Sequence, residues 1–150
     1  MEFLGVIPAR YESRRFPGKP LVNILGKPLV IHVAEKAVAA LGNKNVVVAT
    51  EDQRIYKEVE KWGFNAIMTT DKPLTGTDRI WEVAQQIQAD IYINIQGDEP
   101  MVSPEDIIKI LKSRQGNPEM IVNGYSPLLT QEDPHSINIP KVVFSESGRL

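Results

Sequence analysis

The chain has 150 residues, a length that suits one α/β domain with its own hydrophobic core. Hydrophobic residues make up 42% of it and charged residues 24%, and the net charge of −2 shows no basic bias toward nucleic acid or an anionic membrane. It contains no cysteine, which excludes disulfides and thiolate metal sites, and its apolar runs are too short for a membrane span. We therefore expect one domain over residues 1–150, located in the cytoplasm, with neither nucleic acid nor a membrane as partner.

Strand patterns and helix patterns alternate along the chain. The predicted strands are Phe3–Pro8, Asn45–Thr50, Phe64–Thr69, Asp90–Gln96, Met120–Leu129 and Lys141–Phe144. The predicted helices run from Pro28 to Leu41, from Asp52 to Trp62, from Thr77 to Gln88, and onward from a cap at Ser103. This alternation predicts an α/β fold with a mostly parallel sheet and helices on both of its faces.

The last residues resemble the first half of a β-hairpin. After the strand-like run at 141–144, residues 145–148 have the composition of a turn with a glycine where positive φ is expected. Only Arg149 and Leu150 then remain to form the returning strand. We therefore expect the sequence to be a fragment, or a shortened relative, of a longer protein.

Positive charge is concentrated in the loop after the first strand. Residues 10–27 contain five cations and one anion, a local charge of +4 that leaves −6 for the rest of the chain. In a doubly wound sheet, ligands bind beyond the carboxyl ends of the strands, where this loop begins. The sequence has neither a GxxxxGK[ST] loop nor a GxGxxG fingerprint, but guanidinium groups and a lysine also grip phosphate oxygens. The pattern predicts a triphosphate site, with a solvated charged loop as the alternative.

The residue order of this loop carries a family resemblance. The run IPARYxSxRxPGKPL at 7–21, followed by GKPL at 26–29, resembles the signature of 3-deoxy-manno-octulosonate cytidylyltransferases, which make the CMP-activated sugar acid of lipopolysaccharide. The resemblance implies a Rossmann-like, three-layer nucleotide-diphospho-sugar transferase fold, truncated here after the central strands. Family members are longer, and their later portion supplies a second metal-binding aspartate, sugar-acid contacts and a dimer surface. The resemblance weakens after Met120.

Carried onto this chain residue by residue, the resemblance implies a function for most of the loop. The implied nucleotide-binding residues are Pro8, Ala9, Arg10, Ser13, Arg15 and Lys19. Arg15 and Lys19 would bind the phosphates and act in catalysis, and Arg10 would also lie near the sugar acid. Arg14 is an added positive charge where members of the family often have a small polar residue, and we expect a solvated side chain there.

Acidic residues follow the predicted strand at 90–96, at the same edge of the sheet. One or two carboxylates, together with phosphates and water, typically hold Mg²⁺, so Asp98 is a candidate ligand; capping of the next turn is the alternative. The QGDEP run at 96–100 resembles the family motif at this place. The resemblance implies that Asp98 is a catalytic metal ligand and that Gln96 lies beside the nucleotide or sugar acid. Glu99 is expected instead to turn inward and support the loop.

A second polar loop precedes the third helix. The run at 75–79 resembles the family's SGTDR, which implies that Thr75, Gly76 and Thr77 contribute to the nucleotide pocket. A helix cap at Thr77 is the alternative. The stretch at 49–52 also resembles a family sequence, and is most simply the cap of the second helix.

These expectations combine into one predicted reaction and one alternative. The chain would belong to an enzyme that transfers CMP from CTP to a 2-keto sugar acid, 3-deoxy-manno-octulosonate, with Mg²⁺ as cofactor and release of pyrophosphate. The resemblance implies a homodimer for the full-length enzyme. The alternative is a nucleotide-binding module, either a fragment or a non-catalytic relative, that binds CTP with Mg²⁺ but does not turn it over.

Overall fold

The computed structural model describes residues 2–12, 16–137, 139, 141–143 and 145. In chain order its strands and helices are β1 (Phe3–Pro8), β2 (Asn23–Ile24), β3 (Lys27–Pro28), α1 (Leu29–Leu41), β4 (Val46–Thr50), α2 (Gln53–Lys61), β5 (Ala66–Met68), α3 (Gly76–Ala84), β6 (Ile91–Asn94) and α4 (Pro104–Gly116). Short 3-10 turns lie at Lys19–Leu21 and Asn43–Asn45. Among these residues, no helix combines the length and the apolar character that crossing a bilayer requires.

The central sheet has four parallel strands in the order β5-β4-β1-β6. Consecutive parallel strands need crossover connections, which the helices provide. Helices α1, α2 and α4 pack on one face of the sheet and α3 packs on the other. This confirms the predicted three-layer α/β architecture.

Strand β1 lies between β4 and β6 and is buried on both faces. Leu4 and Val6 pack toward α3, while Ile7 packs in the larger core on the opposite side. Successive side chains of a strand point to opposite faces, so an almost continuous apolar run is what a central parallel strand requires. The predicted bounds of this strand are confirmed.

Helix α3 differs from its prediction at both ends. It begins at Gly76, with Thr75 as its N-cap, and ends at Ala84 instead of Gln88. Beyond it, the hydroxyl of Tyr92 donates to the carbonyl of Ile87 at 2.7 Å and accepts from the amide of Ala89 at 2.9 Å. These contacts turn the chain toward β6 and prevent the apolar spacing from continuing as a helix.

The predicted strands at 120–129 and 141–144 are wrong wherever the structure describes them. Residues 120–129 and 141–143 form no strand, and Phe144 lies outside the described residues. Ile121 is 99% exposed. These runs have the composition of strands, but no described strand pairs with them, and composition alone does not form a strand without a ladder partner.

A small hairpin was missed by the sequence analysis. Asn23–Ile24 pairs antiparallel with Lys27–Pro28 through a connection formed by Leu25 and Gly26, which both have positive φ. The Asn23 side chain accepts a hydrogen bond from the Gly26 amide at 2.8 Å. The glycine between two short apolar runs was the available signal for this turn.

Candidate functional site

A cleft of about 580 Å³ opens at the edge of the sheet where β1 and β6 end. Its lining includes eight of the predicted site residues: Pro8, Ala9, Arg10, Lys19, Thr75, Gly76, Gln96 and Asp98. Three chain segments that lie far apart in sequence therefore meet where parallel α/β sheets place their ligands. Ser13 and Arg15, like Arg14, lie outside the described residues, and their implied functions stay predictions.

Two glycines let the walls of the cleft approach each other closely. A Cβ added to Gly97 would lie 2.6 Å from the carbonyl oxygen of Pro8, and one added to Gly76 would lie 3.2 Å from Cγ of Pro8. Pro8 ends β1 and pairs with Ala49 of β4. The end of β1 is therefore packed between the segment that follows β6 and the first residue of α3, and it forms the floor of the cleft.

Lys19 and Asp98 meet across the cleft. The Nζ of Lys19 donates to Oδ2 of Asp98 at 2.7 Å, and both side chains remain about half exposed. Exposed ion pairs contribute little to stability, so the importance of this pair lies in its position. It joins the predicted phosphate ligand to the predicted metal ligand and shows that the Asp98 carboxylate faces a cation in the cleft.

Thr75 and Asp78 form a capping box at the start of α3. The Thr75 hydroxyl accepts from the Asp78 amide at 3.2 Å, and the Asp78 carboxylate accepts from the Thr75 amide at 2.9 Å. The side-chain hydrogen bond from Thr75 holds the pKa of Asp78 below its usual range. A cap at Thr77 is therefore wrong, because the N-cap is Thr75, two residues earlier, and Thr77 lies inside the helix. Thr77 is exposed and is not among the residues lining the cleft.

Residues 96–99, which follow β6, form a turn that exposes three side chains to solvent. Gln96, Asp98 and Glu99 are exposed, and the Gln96 side chain donates to Asn94 at 3.1 Å. The inward orientation considered for Glu99 is therefore wrong, because the turn directs this side chain to solvent. The backbone amide of Glu99 closes the turn by donating to the carbonyl of Gln96 at 3.2 Å.

The second helix is capped as predicted. Asp52 accepts from the Arg54 amide at 2.8 Å, and its carboxylate also accepts from the Arg54 guanidinium. The side-chain hydrogen bond from Arg54 holds the pKa of Asp52 below its ordinary value of 3.8. The guanidinium of Arg54 in turn lies 3.3 Å from the centre of the Tyr11 ring, so this cap supports the loop after β1.

Arg79 is a site residue that the sequence analysis did not single out. It lines the cleft although it is almost fully buried. Its guanidinium pairs with Glu51 at 2.8 Å and donates to the hydroxyl of Thr69 and the carbonyl of Thr70. The available signal was its spacing: Arg79 precedes the buried Val83 by four residues, which places a charge on the apolar face of the helix.

A parallel sheet with a cleft of guanidinium, ammonium and carboxylate groups at its carboxyl edge is typical of α/β proteins that bind a ligand beyond the ends of their strands. Comparison with known proteins identifies its family. The profile of the family described as Cytidylyltransferase matches residues 4–149, so the chain belongs to that family. The resemblance noted in the loop after β1 is thereby confirmed.

Individual relatives agree with this assignment. The chain is 49% identical over 117 residues to the 3-deoxy-manno-octulosonate cytidylyltransferase of Escherichia coli, covering 78% of this chain and 48% of that protein. It is 44% identical over 126 residues to the 8-amino-3,8-dideoxy-manno-octulosonate cytidylyltransferase of Shewanella sp. (strain ANA-3), covering 80% and 51% of the two chains.

A solved structure of CMP:2-keto-3-deoxy-manno-octonic acid synthetase complexed with CTP has the same fold. It superposes with a TM-score of 0.77 at 47% identity, covering 80% of this chain and 50% of that one. The chain thus spans about half the length of these relatives. The match confirms the predicted nucleotidyltransferase fold.

Proposed function

We propose that this chain is the nucleotide-binding part of an enzyme that transfers CMP from CTP to 3-deoxy-manno-octulosonate, releasing pyrophosphate for lipopolysaccharide precursor synthesis. One observation carries the proposal: Lys19 and Asp98 meet at 2.7 Å inside the cleft at the carboxyl edge of the sheet. A triphosphate needs cations, and a metal bound to that triphosphate needs a carboxylate. The names of the similar proteins support the choice of CTP and of an octulosonate acceptor.

The proposed nucleotide site has the size and the polarity that its ligand requires. A volume of about 580 Å³ lies within the roughly 300–1,000 Å³ of small-molecule sites. Lys19 would contact the phosphates as a mobile point charge, and Arg10 would contact the nucleotide and the sugar acid. Thr75 and Gly76 would form the opposite wall.

The residues of the cleft fit a magnesium ion that is held mainly by its substrate. No group of three candidate ligands occurs among the described residues, but Mg²⁺ typically binds one or two carboxylates and takes its remaining ligands from phosphates and water. The Asp98 carboxylate already faces a cation, the Lys19 ammonium. Asp98, the carboxylate in the lining of the cleft, would hold the metal, which when bound would neutralise phosphate charge.

In the transfer of CMP, the residues of this chain would position the substrates and neutralise charge. The anomeric hydroxyl of the sugar acid attacks the α-phosphorus of CTP in line, the bond to pyrophosphate breaks, and the hydroxyl proton is lost to solvent. Lys19, and Arg15 if it acts as the resemblance implies, would stabilise the negative charge that develops on the leaving pyrophosphate. Gln96 would orient the nucleotide or the sugar acid from the opposite wall.

A pyrophosphate-release assay with CTP, UTP and ATP tests the activity. The acceptors are 3-deoxy-manno-octulosonate and its 8-amino-3,8-dideoxy analogue, since relatives carry both names. We expect release only with CTP and faster release with the 8-hydroxy acceptor. Preference for the amino acceptor would reassign the sugar, and release with UTP or ATP would contradict the nucleotide assignment.

A nucleotide-binding module without turnover is the second candidate. The 150 residues cover 48% and 50% of two of the relatives, and the cleft that the proposal uses lies within them. This candidate predicts that CTP and Mg²⁺ bind in a calorimetric titration while pyrophosphate is never released. Failure to bind CTP at millimolar concentration would contradict both candidates.

The proposal extends to a cytoplasmic homodimer for the whole enzyme, for which the family resemblance is the support. Light scattering on the 150-residue chain and on any longer product of the gene would measure the oligomeric state. A dimer of the longer product alone would place the interface outside this chain.

A further inference from the structure

An ion pair lies behind the cleft, at residues to which the family resemblance gave no binding function. Oε2 of Glu51 lies 2.8 Å from Nη2 of Arg79, and the two side chains are 16% and 4% exposed. This oxygen is buried and the contact lacks hydrogen-bond geometry, so it is held by charge attraction. Burying two charges is costly, and such a pair is a weak source of stability. The importance of the pair therefore lies in the chain segments that it holds in place.

Glu51 anchors the cationic loop that follows β1. Its Oε1 accepts from the backbone amide of Tyr11 at 2.9 Å. The carbonyl of Tyr11 in turn accepts from the amide of Gly18 at 2.8 Å, and a Cβ on Gly18 would contact the Tyr11 ring at 3.2 Å. The next residue is Lys19, which faces Asp98 across the cleft. A chain of contacts thus runs from Glu51 to the proposed phosphate ligand.

Arg79 anchors the opposite wall of the cleft, which is formed by the start of α3. It lies in the first turns of α3, whose cap and first residue are the cleft residues Thr75 and Gly76. Its Nη1 donates to the Thr69 hydroxyl and, at 3.3 Å, to the Thr70 carbonyl, so it also fixes the segment that follows β5.

A direct contact between the two walls is weaker. Nη1 of Arg10 donates to the carbonyl of Leu74 at 3.3 Å, but this contact is exposed to solvent. The Glu51–Arg79 pair connects the same two walls through buried groups, because Glu51 follows β4 and also accepts from the Tyr11 amide in the loop after β1.

We propose that Glu51 and Arg79 are positioning residues that fix the distance between the two walls of the nucleotide cleft. The inference rests on the proposed function, since it takes the ligand of the cleft to be CTP. Glu51 acts through Tyr11 and Gly18 on Lys19, and Arg79 acts through the first turn of α3 on Thr75 and Gly76. Loss of the pair lets the walls separate. Part of the binding free energy of the nucleotide is then used to restore their geometry, and its affinity falls.

Glu51→Gln is the sharpest test, because it keeps the size of the side chain and an acceptor for the Tyr11 amide while removing the charge. We expect CTP affinity, measured by calorimetry, to fall about tenfold. The double variant with Arg79→Met should bind no more weakly than the weaker single variant, because the two residues act as one unit. Amide hydrogen exchange at Tyr11 and Gly18 should accelerate.

Glu35→Gln is the matched control. It breaks another ion pair, with Lys27 at 2.6 Å, whose residues do not line the cleft, and should leave CTP affinity unchanged. An equal effect of both glutamine variants would overturn the proposal.

Urea unfolding of each variant separates positioning from stability. A purely structural pair would lower the unfolding free energy and leave the affinity of the folded protein intact, which would also overturn the proposal. If Glu51→Gln fails to fold, Glu51→Asp, which keeps the charge but shortens the reach toward Tyr11, must give the affinity loss instead.

Failure of the proposed function gives a different result. A wild-type chain that binds no CTP contradicts the nucleotide assignment and the positioning inference together. A wild-type chain that binds CTP, with Glu51→Gln binding equally well, contradicts the positioning inference alone.

Discussion

Replacing Gly97 with alanine tests whether the close approach of two chain segments builds the floor of the cleft. The added Cβ would lie 2.6 Å from the Pro8 carbonyl oxygen and 3.4 Å from Cγ2 of Ile7, whereas real Cβ contacts almost never fall under 3.0 Å. The oxygen belongs to the backbone of β1, which is paired with β4 and β6. A rotamer change therefore cannot relieve the contact, and one of the two segments must move.

Overpacking of this kind costs about 1–3 kcal/mol, and we expect the upper part of that range because backbone has to shift. The Asp98 carboxylate, on the adjacent residue, would move with Gly97 away from β1. We therefore expect Gly97→Ala to lower the unfolding free energy by about 2–3 kcal/mol and to weaken CTP binding. Urea denaturation followed by circular dichroism measures the first effect, and calorimetry at 25 °C measures the second.

Gly116→Ala is the control for the change from glycine to alanine itself. Gly116 is the last residue of α4, and a Cβ there meets no atom within 4 Å. This variant should be neutral or slightly stabilising, since alanine loses less backbone entropy on folding than glycine. A Gly97→Ala protein within about 0.5 kcal/mol of wild type, with unchanged CTP affinity, would refute the reasoning about the cleft floor.

Three further variants test individual groups. Lys19→Ala should weaken CTP binding far more than CMP binding in calorimetric titrations, and equal losses would contradict the phosphate assignment. Asp98→Asn should abolish the gain in CTP affinity that Mg²⁺ gives wild type; an unchanged gain would exclude Asp98 as the metal ligand. Arg54 lowers the pKa of Asp52 below 3.8, so the stabilisation is present above that pH and is lost as pH falls through the lowered pKa. Asp52→Asn should therefore lose less stability than wild type between about pH 4 and pH 2 in thermal melts, and parallel curves would contradict the assignment.

Elements specified by their own residues were predicted well from the sequence. The six residues of β1 form a nearly unbroken apolar run, and α4 begins where Ser103 caps a helix with proline at its first position. Elements that depend on distant partners were predicted poorly. The end of α3 is set by the Tyr92 hydroxyl of a later strand, and residues 120–129 have strand composition without a ladder partner among the described strands.

The same distinction explains what the sequence revealed of the site. Motifs identified Lys19 and Asp98 separately, but their ion pair joins positions 79 residues apart. The pairing of Glu51 with Arg79 likewise depends on strand order: β4 lies beside β1, so the residue that follows β4 reaches the loop that follows β1. A sequence motif indicates which side chains bind a ligand, whereas the strand order of the parallel sheet determines which of them face one another. The positions of Glu51 and Arg79 beside their partners depend on strand order, because those partners are protein groups that only the fold brings together.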